Sequence, residues 1–224
     1  YIDLGSGIGV TAFGVDDDDW SKAVIAQTHA LNHISNLYYS VPQIKLAELL
    51  CKRTGMKKVF FCNSGAESNE CAIKAARKYS HDKYGDGRNV IVTLVNSFHG
   101  RTVTTLSATG QDVFHQHFFP FTEGFVHTPA NDIDAALKVL ANPAVCAIMM
   151  EPIQGEGGVM PLDKEFVQVV TKYAHEHDQL VLIDEVQTGN GRTGSLYAYE
   201  QFGIEPDIVS TAKGLAGGLP MGAT

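Results

Sequence analysis

The sequence lacks the features that define several large classes of protein. No apolar run approaches the roughly 20 residues that a membrane-spanning helix requires. Lysine and arginine number 17 against 25 aspartates and glutamates, which gives a formal net charge of -8. An acidic chain without a clustered basic stripe argues against nucleic-acid binding. We therefore expect neither a membrane nor a nucleic acid among its partners.

Cysteine is scarce, and known metal motifs are missing. The four cysteines form no C-x-x-C pair, and their spacings match neither a zinc site nor a disulfide framework. We expect reduced, mostly buried thiols in a cytoplasmic protein. The acidic run at 16–19 lacks the spacing of a calcium loop, and it is predicted to cap a helix that starts near Trp20. No metal site is predicted.

Five short apolar runs are predicted to be buried parallel strands, at 59–62, 90–94, 147–150, 180–183 and 208–210. Between them, apolar residues recur at helical spacing, as in a stripe of Ala72, Ile73, Ala76 and Tyr79 that Ser64 opens. Strands that alternate with helices predict an α/β fold with a mostly parallel sheet flanked by helices. Ligands bind such sheets at the carboxyl ends of the strands, so the residues after each run are candidates for chemistry.

Three of these turns contain possible ligand contacts. Gly65 and Ala66 begin a helix whose free N–H groups could bind a phosphate, although an ordinary capped turn is the more common explanation of this pattern alone. Phe98 could stack on a planar ring and Arg101 could hold a carboxylate, with a buried Phe beside a surface Arg as an equal alternative. Glu156 lies in a glycine-rich loop that indicates a backbone folded close to a ligand.

The last two turns contain an acid and a lysine. Asp184 follows a buried strand, where a carboxylate is costly unless a cation, a metal or helix N–H groups pair with it. A metal role as in nucleotide hydrolases would need the phosphate loop G-x-x-x-x-G-K-[ST], which is missing. Lys213 lies among small and apolar residues, where burial would lower its pKa and free the amine for Schiff-base chemistry. A lysine that reaches out to solvent is the alternative.

Each signal is weak alone, but their order along the chain is specific. Together they resemble the class III (ornithine-type) aminotransferases of the fold type I superfamily, which use pyridoxal 5′-phosphate (PLP). The matching stretches are 36–39, 63–67, 98–101, 151–157, 184–189 and 211–218. The resemblance implies an N-terminal segment at 1–40 that leads into an incomplete large PLP-binding domain at 41–224. Because the sequence stops at Thr224, we expect a fragment that lacks the C-terminal small domain.

The same resemblance implies how the cofactor is held. The backbone N–H groups of Gly65 and Ala66 would bind the PLP phosphate. Phe98 would stack on the pyridine ring, Val186 would pack on a ring face, and Gln187 would bond the ring hydroxyl.

It also implies the catalytic and substrate-binding residues. Asp184 would pair with the protonated pyridine nitrogen, and Lys213 would form the Schiff base and later transfer a proton. Arg101 would hold the α-carboxylate of the amino donor. Glu156 would gate an arginine that lies beyond Thr224.

The implied activity is transfer of the terminal amino group of N-acetylornithine to 2-oxoglutarate, in arginine biosynthesis, by a cytoplasmic homodimer. Ornithine, succinylornithine and 4-aminobutyrate are alternative donors. A PLP-dependent aminomutase would use the same lysine and aspartate without 2-oxoglutarate. A truncated, inactive chain is the non-enzymatic alternative.

Overall fold

The computed structural model describes every residue from Tyr1 to Thr224. Its strands in chain order are β1 (Phe61–Cys62), β2 (Val90–Leu94), β3 (Phe125–Thr128), β4 (Val145–Met150), β5 (Ile153–Gln154), β6 (Met160–Pro161), β7 (Leu180–Asp184), β8 (Ile208–Ser210) and β9 (Gly222–Ala223). Five of them form one parallel sheet in the order β3-β2-β4-β7-β8. The predicted α/β fold with a parallel sheet is confirmed.

The helices are α1 (Ser6–Gly9), α2 (Asp18–Ala30), α3 (Val41–Thr54), α4 (Gly65–Tyr84), α5 (Val103–Ala108), α6 (Ile133–Leu140), α7 (Lys164–Glu176) and α8 (Tyr199–Phe202). The two predicted helix starts, at Ser64 and in the acidic run, are capped as expected. Ser64 accepts from the Glu67 N–H at the start of α4, and α3 ends at Gly55 in the left-handed conformation. Asp17, in the acidic run, accepts from the Trp20 N–H and caps α2. None of these helices is both long enough and apolar enough to span a membrane.

The sheet is buried because helices cover both of its faces. Side chains of successive residues in a strand point to opposite faces. On one face, Ile148 of β4 and Val181 of β7 pack with α6 and α7 in the larger core cluster. On the other face, Met149 and Leu182 pack with Ala72, Ile73 and Ala76 of α4. Residues of both faces are almost fully buried, as expected for a parallel sheet with helices on each side.

The first predicted strand differs from the expectation. The run at 59–62 is not a buried parallel strand, since β1 is partly exposed and pairs antiparallel with β9 near the chain end. A two-way backbone bridge between Thr211 and Ala223 joins β9 to the residue after β8. The reason is tertiary: β9 turns back beside β8, so it separates β1 from the parallel strands.

Two further expectations need correction. The sequence did not predict β3, which lies at the edge of the sheet and alternates half-buried Phe125 and His127 with exposed or small residues, so it forms no apolar run. The cysteines are free as expected, but only Cys146 is buried. The other three lie on β1, α3 and α4 and are half-buried.

Candidate active site

A cleft of about 440 Å³ opens at the carboxyl ends of the parallel strands. All of the residues that the sequence singled out for chemistry line it: Gly65, Ala66, Phe98, Arg101, Glu156, Asp184, Val186, Gln187 and Lys213. They come from five separate turns, so only the parallel sheet brings them together. The position agrees with the rule for ligand sites in open α/β sheets.

The floor of the cleft is a buried hydrogen-bonded acid. Asp184, the last residue of β7, is 3% exposed. Its Oδ2 accepts from the Asn69 amide at 2.7 Å and lies 2.8 Å from Nδ1 of His99, and its Oδ1 accepts from the Val186 N–H at 3.0 Å. These contacts meet the condition that a buried carboxylate must be paired or hydrogen-bonded.

His99 is buried together with Asp184, and its charge state depends on that carboxylate. Burial lowers the pKa of His99, but the hydrogen bond and the charge of Asp184, helped by Glu151, outweigh it and leave the pKa raised. The carboxylate of Asp184 therefore favours the protonated form of His99 inside the protein. Its Nε2 atom is buried without a hydrogen-bond partner.

Lys213 enters the cleft from a short 3₁₀ helix, Lys213–Ala216, just after β8. Burial lowers the pKa of its amine, while the negative charges of Glu156, Asp184 and Glu151 act in the opposite direction. Its φ of 46° lies in the left-handed region, which is strained for a side chain of this size. Asn190 donates to the Ala212 carbonyl and the Thr211 hydroxyl, both at 3.0 Å, and so braces the backbone just before the lysine.

The amino end of α4 forms one wall. The Ser64 hydroxyl accepts from the Glu67 N–H, and the Glu67 carboxylate accepts from the Asn63 N–H, so the two side chains together cap this end of the helix. The N–H groups of Gly65 and Ala66 have no protein partner and point from the positive end of the helix dipole. Any Cβ on residue 65 would lie 2.6 Å from Cγ1 of Val186, so only glycine fits against that side chain.

A second buried carboxyl ties two loops of the cleft together. Glu151, 5% exposed, accepts from the Phe98 N–H at 2.9 Å and from the Gly155 backbone. Burial raises its pKa to about 7 against the opposing charge of His99. In the loop that follows, Glu156 accepts from the Gln187 amide at 3.3 Å.

The sequence reasoning gave no role to Asn69, His99 or Glu151, although all three line the cleft. One signal was available for Asn69. It continues the helical spacing of Ala72, Ile73 and Ala76 toward the amino end, so the apolar stripe of α4 places its amide on the buried face. The partners of His99 and Glu151 are 85 and 53 residues away along the chain, and no local pattern pairs them.

The fold is that of aminotransferases of known structure. N-acetylornithine aminotransferase from Stenotrophomonas maltophilia superposes with a TM-score of 0.87 at 40% identity, over 100% of this chain and 56% of that one. Ornithine aminotransferase from Toxoplasma gondii, solved with partial occupancy of PLP at its active site, gives a TM-score of 0.95 at 29% identity. This superposition covers 100% of this chain and 54% of the Toxoplasma gondii chain.

The model of the family Aminotransferase class-III matches residues 1–224, and the chain belongs to this family. It is 60% identical over 223 residues to the acetylornithine aminotransferase of Haemophilus ducreyi, and 47% identical to that of Neisseria meningitidis serogroup B. These matches cover 100% of this chain but 57% and 56% of the relatives, so the chain spans little more than half their length. The resemblance read from the sequence is confirmed at the level of the family.

Proposed function

We propose that the full-length protein is a PLP-dependent aminotransferase that moves the terminal amino group of N-acetylornithine to 2-oxoglutarate. The observation that carries the proposal is the meeting in one cleft of a buried acid, a half-buried lysine and a helix start with two unpaired N–H groups. Relatives up to 60% identical are acetylornithine aminotransferases, which supports this donor above ornithine, succinylornithine or 4-aminobutyrate.

The cleft has groups that suit each part of PLP. The unpaired N–H groups of Gly65 and Ala66 would hold the phosphate, as helix starts hold anions elsewhere. Phe98 and Val186 would contact the ring, and Gln187 would bond its hydroxyl. When bound, PLP supplies an electron sink for the negative charge that develops beside the amino group. Residues 41–224 would form this PLP-binding unit, with residues 1–40 leading into it.

The protein's own side chains would then manage protons. Asp184 would keep a proton on the pyridine nitrogen through a charge-assisted hydrogen bond, with His99 and Asn69 fixing its orientation. Lys213 would hold the cofactor and move a proton at the substrate carbon that bears the amino group. Its lowered pKa favours the neutral amine that this role needs.

Substrate carboxylates would meet the rim of the cleft. Arg101 would bind the α-carboxylate of the donor, and Glu156, beside Gln187, would move aside when the dicarboxylate acceptor binds. Four free cysteines suit a reducing compartment such as the cytoplasm. A homodimer remains part of the proposal for the full-length protein.

The first test is the visible spectrum of the full-length protein with PLP, followed by borohydride reduction and peptide mapping. We expect a yellow protein that borohydride bleaches, with the pyridoxyl label on Lys213. A Lys172→Ala variant, which changes an exposed lysine of α7, should be labelled equally at Lys213. A colourless protein, or a label on any other lysine, would overturn the proposal.

A donor panel tests the substrate. With 2-oxoglutarate as acceptor, N-acetylornithine should give the highest kcat/KM among N-acetylornithine, ornithine, succinylornithine and 4-aminobutyrate. Product formation should stop when 2-oxoglutarate is omitted, because an aminotransferase needs an acceptor for its second half-reaction. Turnover without the acceptor would indicate an aminomutase instead.

A further inference from the structure

The guanidinium of Arg101 is held without any acidic partner. It lies 4.7 Å from the ring centre of Phe114 and 5.9 Å from that of Phe98, both within the range of cation–π attraction. It makes no ion pair and donates no hydrogen bond to the protein. The aromatic faces therefore orient this arginine while all of its N–H groups stay available to a ligand.

The two rings form one unit. Phe98 and Phe114 meet edge to face, with centroids 5.4 Å apart and planes at 67°. Phe98 lines the cleft, whereas Phe114 is half-buried behind it and does not. Phe114 thus touches Arg101 and Phe98 from outside the space that substrate would occupy.

Hydrogen bonds of the preceding residues fix Phe114 in this place. It ends a short 3₁₀ helix, Asp112–Phe114, and just before that helix the side-chain amide of Gln111 donates to the Ser97 carbonyl at 3.1 Å. Gly110 is bonded to both Asn96 and Ser97, and a Cβ there would lie 2.1 Å from the Leu94 carbonyl oxygen. The turn that contains Phe114 is therefore locked to the loop that contains Phe98.

We propose that Phe114 is a positioning residue that sets the donor specificity of this site, by holding Arg101 with its edge toward the α-carboxylate of the amino donor. An acidic partner would orient the arginine too, but it would compete with the substrate carboxylate for the same N–H groups. A ring face offers no acceptor, so it orients the guanidinium without competing. This inference rests on the proposed function, since it assigns a purpose to the binding of a carboxylate by Arg101.

The test compares two donors that differ only in that carboxylate. N-acetylornithine has it, and N-acetyl-1,4-diaminobutane is the same molecule without it. In the full-length PLP enzyme, Phe114→Leu and Phe114→Met remove the ring but keep apolar bulk, and Phe114→Tyr restores a ring. Phe118→Leu is the matched control, because Phe118 lies in the same segment, is 62% exposed and makes no cation–π contact with Arg101.

We expect Phe114→Leu and Phe114→Met to raise the KM for N-acetylornithine about two- to fivefold, the effect of one exposed cation–π contact, with kcat unchanged. The KM for N-acetyl-1,4-diaminobutane should not move, and Phe114→Tyr and Phe118→Leu should match the unmodified protein. In an Arg101→Ala background the Phe114 effect should vanish, because the two side chains act as a pair. Equal PLP content and circular dichroism spectra establish that the variants fold.

Three results would overturn the inference, and the first two are distinguishable from a failure of the proposed function. If Arg101→Ala raises the KM for N-acetylornithine but Phe114→Leu and Phe114→Met do not, Phe114 has no positioning role and the proposed function stands. The same holds if the Phe114 variants raise the KM for both donors equally. If Arg101→Ala itself leaves that KM unchanged, the proposed role of Arg101 fails, and the inference about Phe114 fails with it.

Discussion

Two charged groups in one cleft are held by opposite means. At the floor, Asp184 is almost fully buried, and hydrogen bonds from Asn69, His99 and the Val186 backbone fix both of its oxygens. At the rim, Arg101 is exposed, and its guanidinium lies near the rings of Phe114 and Phe98 without an ion pair. A buried charge must be satisfied by the protein, whereas an exposed charge can be oriented and left free.

The contrast separates two tasks. A group that must keep one protonation state throughout a reaction is best surrounded by fixed partners in a low-dielectric site. A group that must bind and release a substrate carboxylate is best left with its N–H groups open. We therefore expect changes at the floor to lower kcat and changes at the rim to raise KM.

Lys213→Ala should have the largest effect and abolish turnover, because no other amine in the cleft can hold the cofactor or move the substrate proton. The measurement is the steady-state rate with N-acetylornithine and 2-oxoglutarate, with PLP content determined separately. Lys172→Ala, on the exposed side of α7, should retain full activity. Appreciable turnover by the Lys213 variant would remove the central residue of the proposal.

Asp184→Asn should lower kcat by several orders of magnitude while the fold is kept, since the amide cannot maintain the proton on the pyridine nitrogen. The neighbouring buried acid provides a matched control. Glu185→Gln also neutralises a buried carboxyl, but Glu185 does not line the cleft and its variant should turn over normally. A mild effect of Asp184→Asn, or equal losses in both variants, would contradict the special role of the floor.

Arg101→Ala should raise the KM for N-acetylornithine by roughly 10- to 150-fold, as expected for loss of a charged hydrogen bond worth about 1.5–3 kcal/mol. Arg101→Lys keeps the charge but loses the bidentate geometry, so its KM should lie between those of the unmodified protein and Arg101→Ala. Initial rates over a range of donor concentrations measure both parameters. A fall in kcat with an unchanged KM would mean that Arg101 acts in the chemical step and not in donor binding. The contrast between Arg101 at the rim and Asp184 at the floor would then be wrong.

Glu185→Gln should leave turnover unchanged and alter only stability, so its effect on the reaction is the smallest of the four. Glu185 is fully buried and accepts from the Tyr199 N–H, and burial raises its pKa from 4.5 to about 7. A raised folded-state pKa means that the folded protein binds the proton more tightly. The stability from this group is complete below about pH 4.5 and is lost as the pH rises through about 7.

The glutamine variant should therefore lose part of this pH dependence. Between about pH 5 and about pH 8, the free energy of unfolding should fall less in the variant than in the unmodified protein, by up to about 3 kcal/mol. Urea unfolding at several pH values measures the difference. Glu165→Gln, at the exposed start of α7, should leave the pH dependence unchanged. Parallel curves for Glu185→Gln and the unmodified protein would contradict the raised pKa.

The sequence predicted the strands of the sheet interior more reliably than those at its margins. The runs that became the interior strands β2, β4 and β7 are continuous apolar stretches because helices cover both faces of the sheet there, and of the two edge strands only β8 was predicted. At one edge β3 has a polar face and was not predicted, and beyond the other edge β1 was wrongly predicted to be a buried parallel strand. An edge strand depends on one neighbour only, so its sequence is less constrained.

By itself, the sequence determined which residues would follow each buried strand, because apolar runs and the glycine-rich turns after them are local features. That was enough to bring Asp184, Lys213, Phe98 and the Gly65–Ala66 turn to one edge of a parallel sheet. Only the tertiary structure decided which side chains pair with one another there. The pairing of Asp184 with His99 and Asn69, and of Arg101 with Phe114, joins different turns of the chain. Such contacts depend on distances in space, which spacing along a chain does not encode.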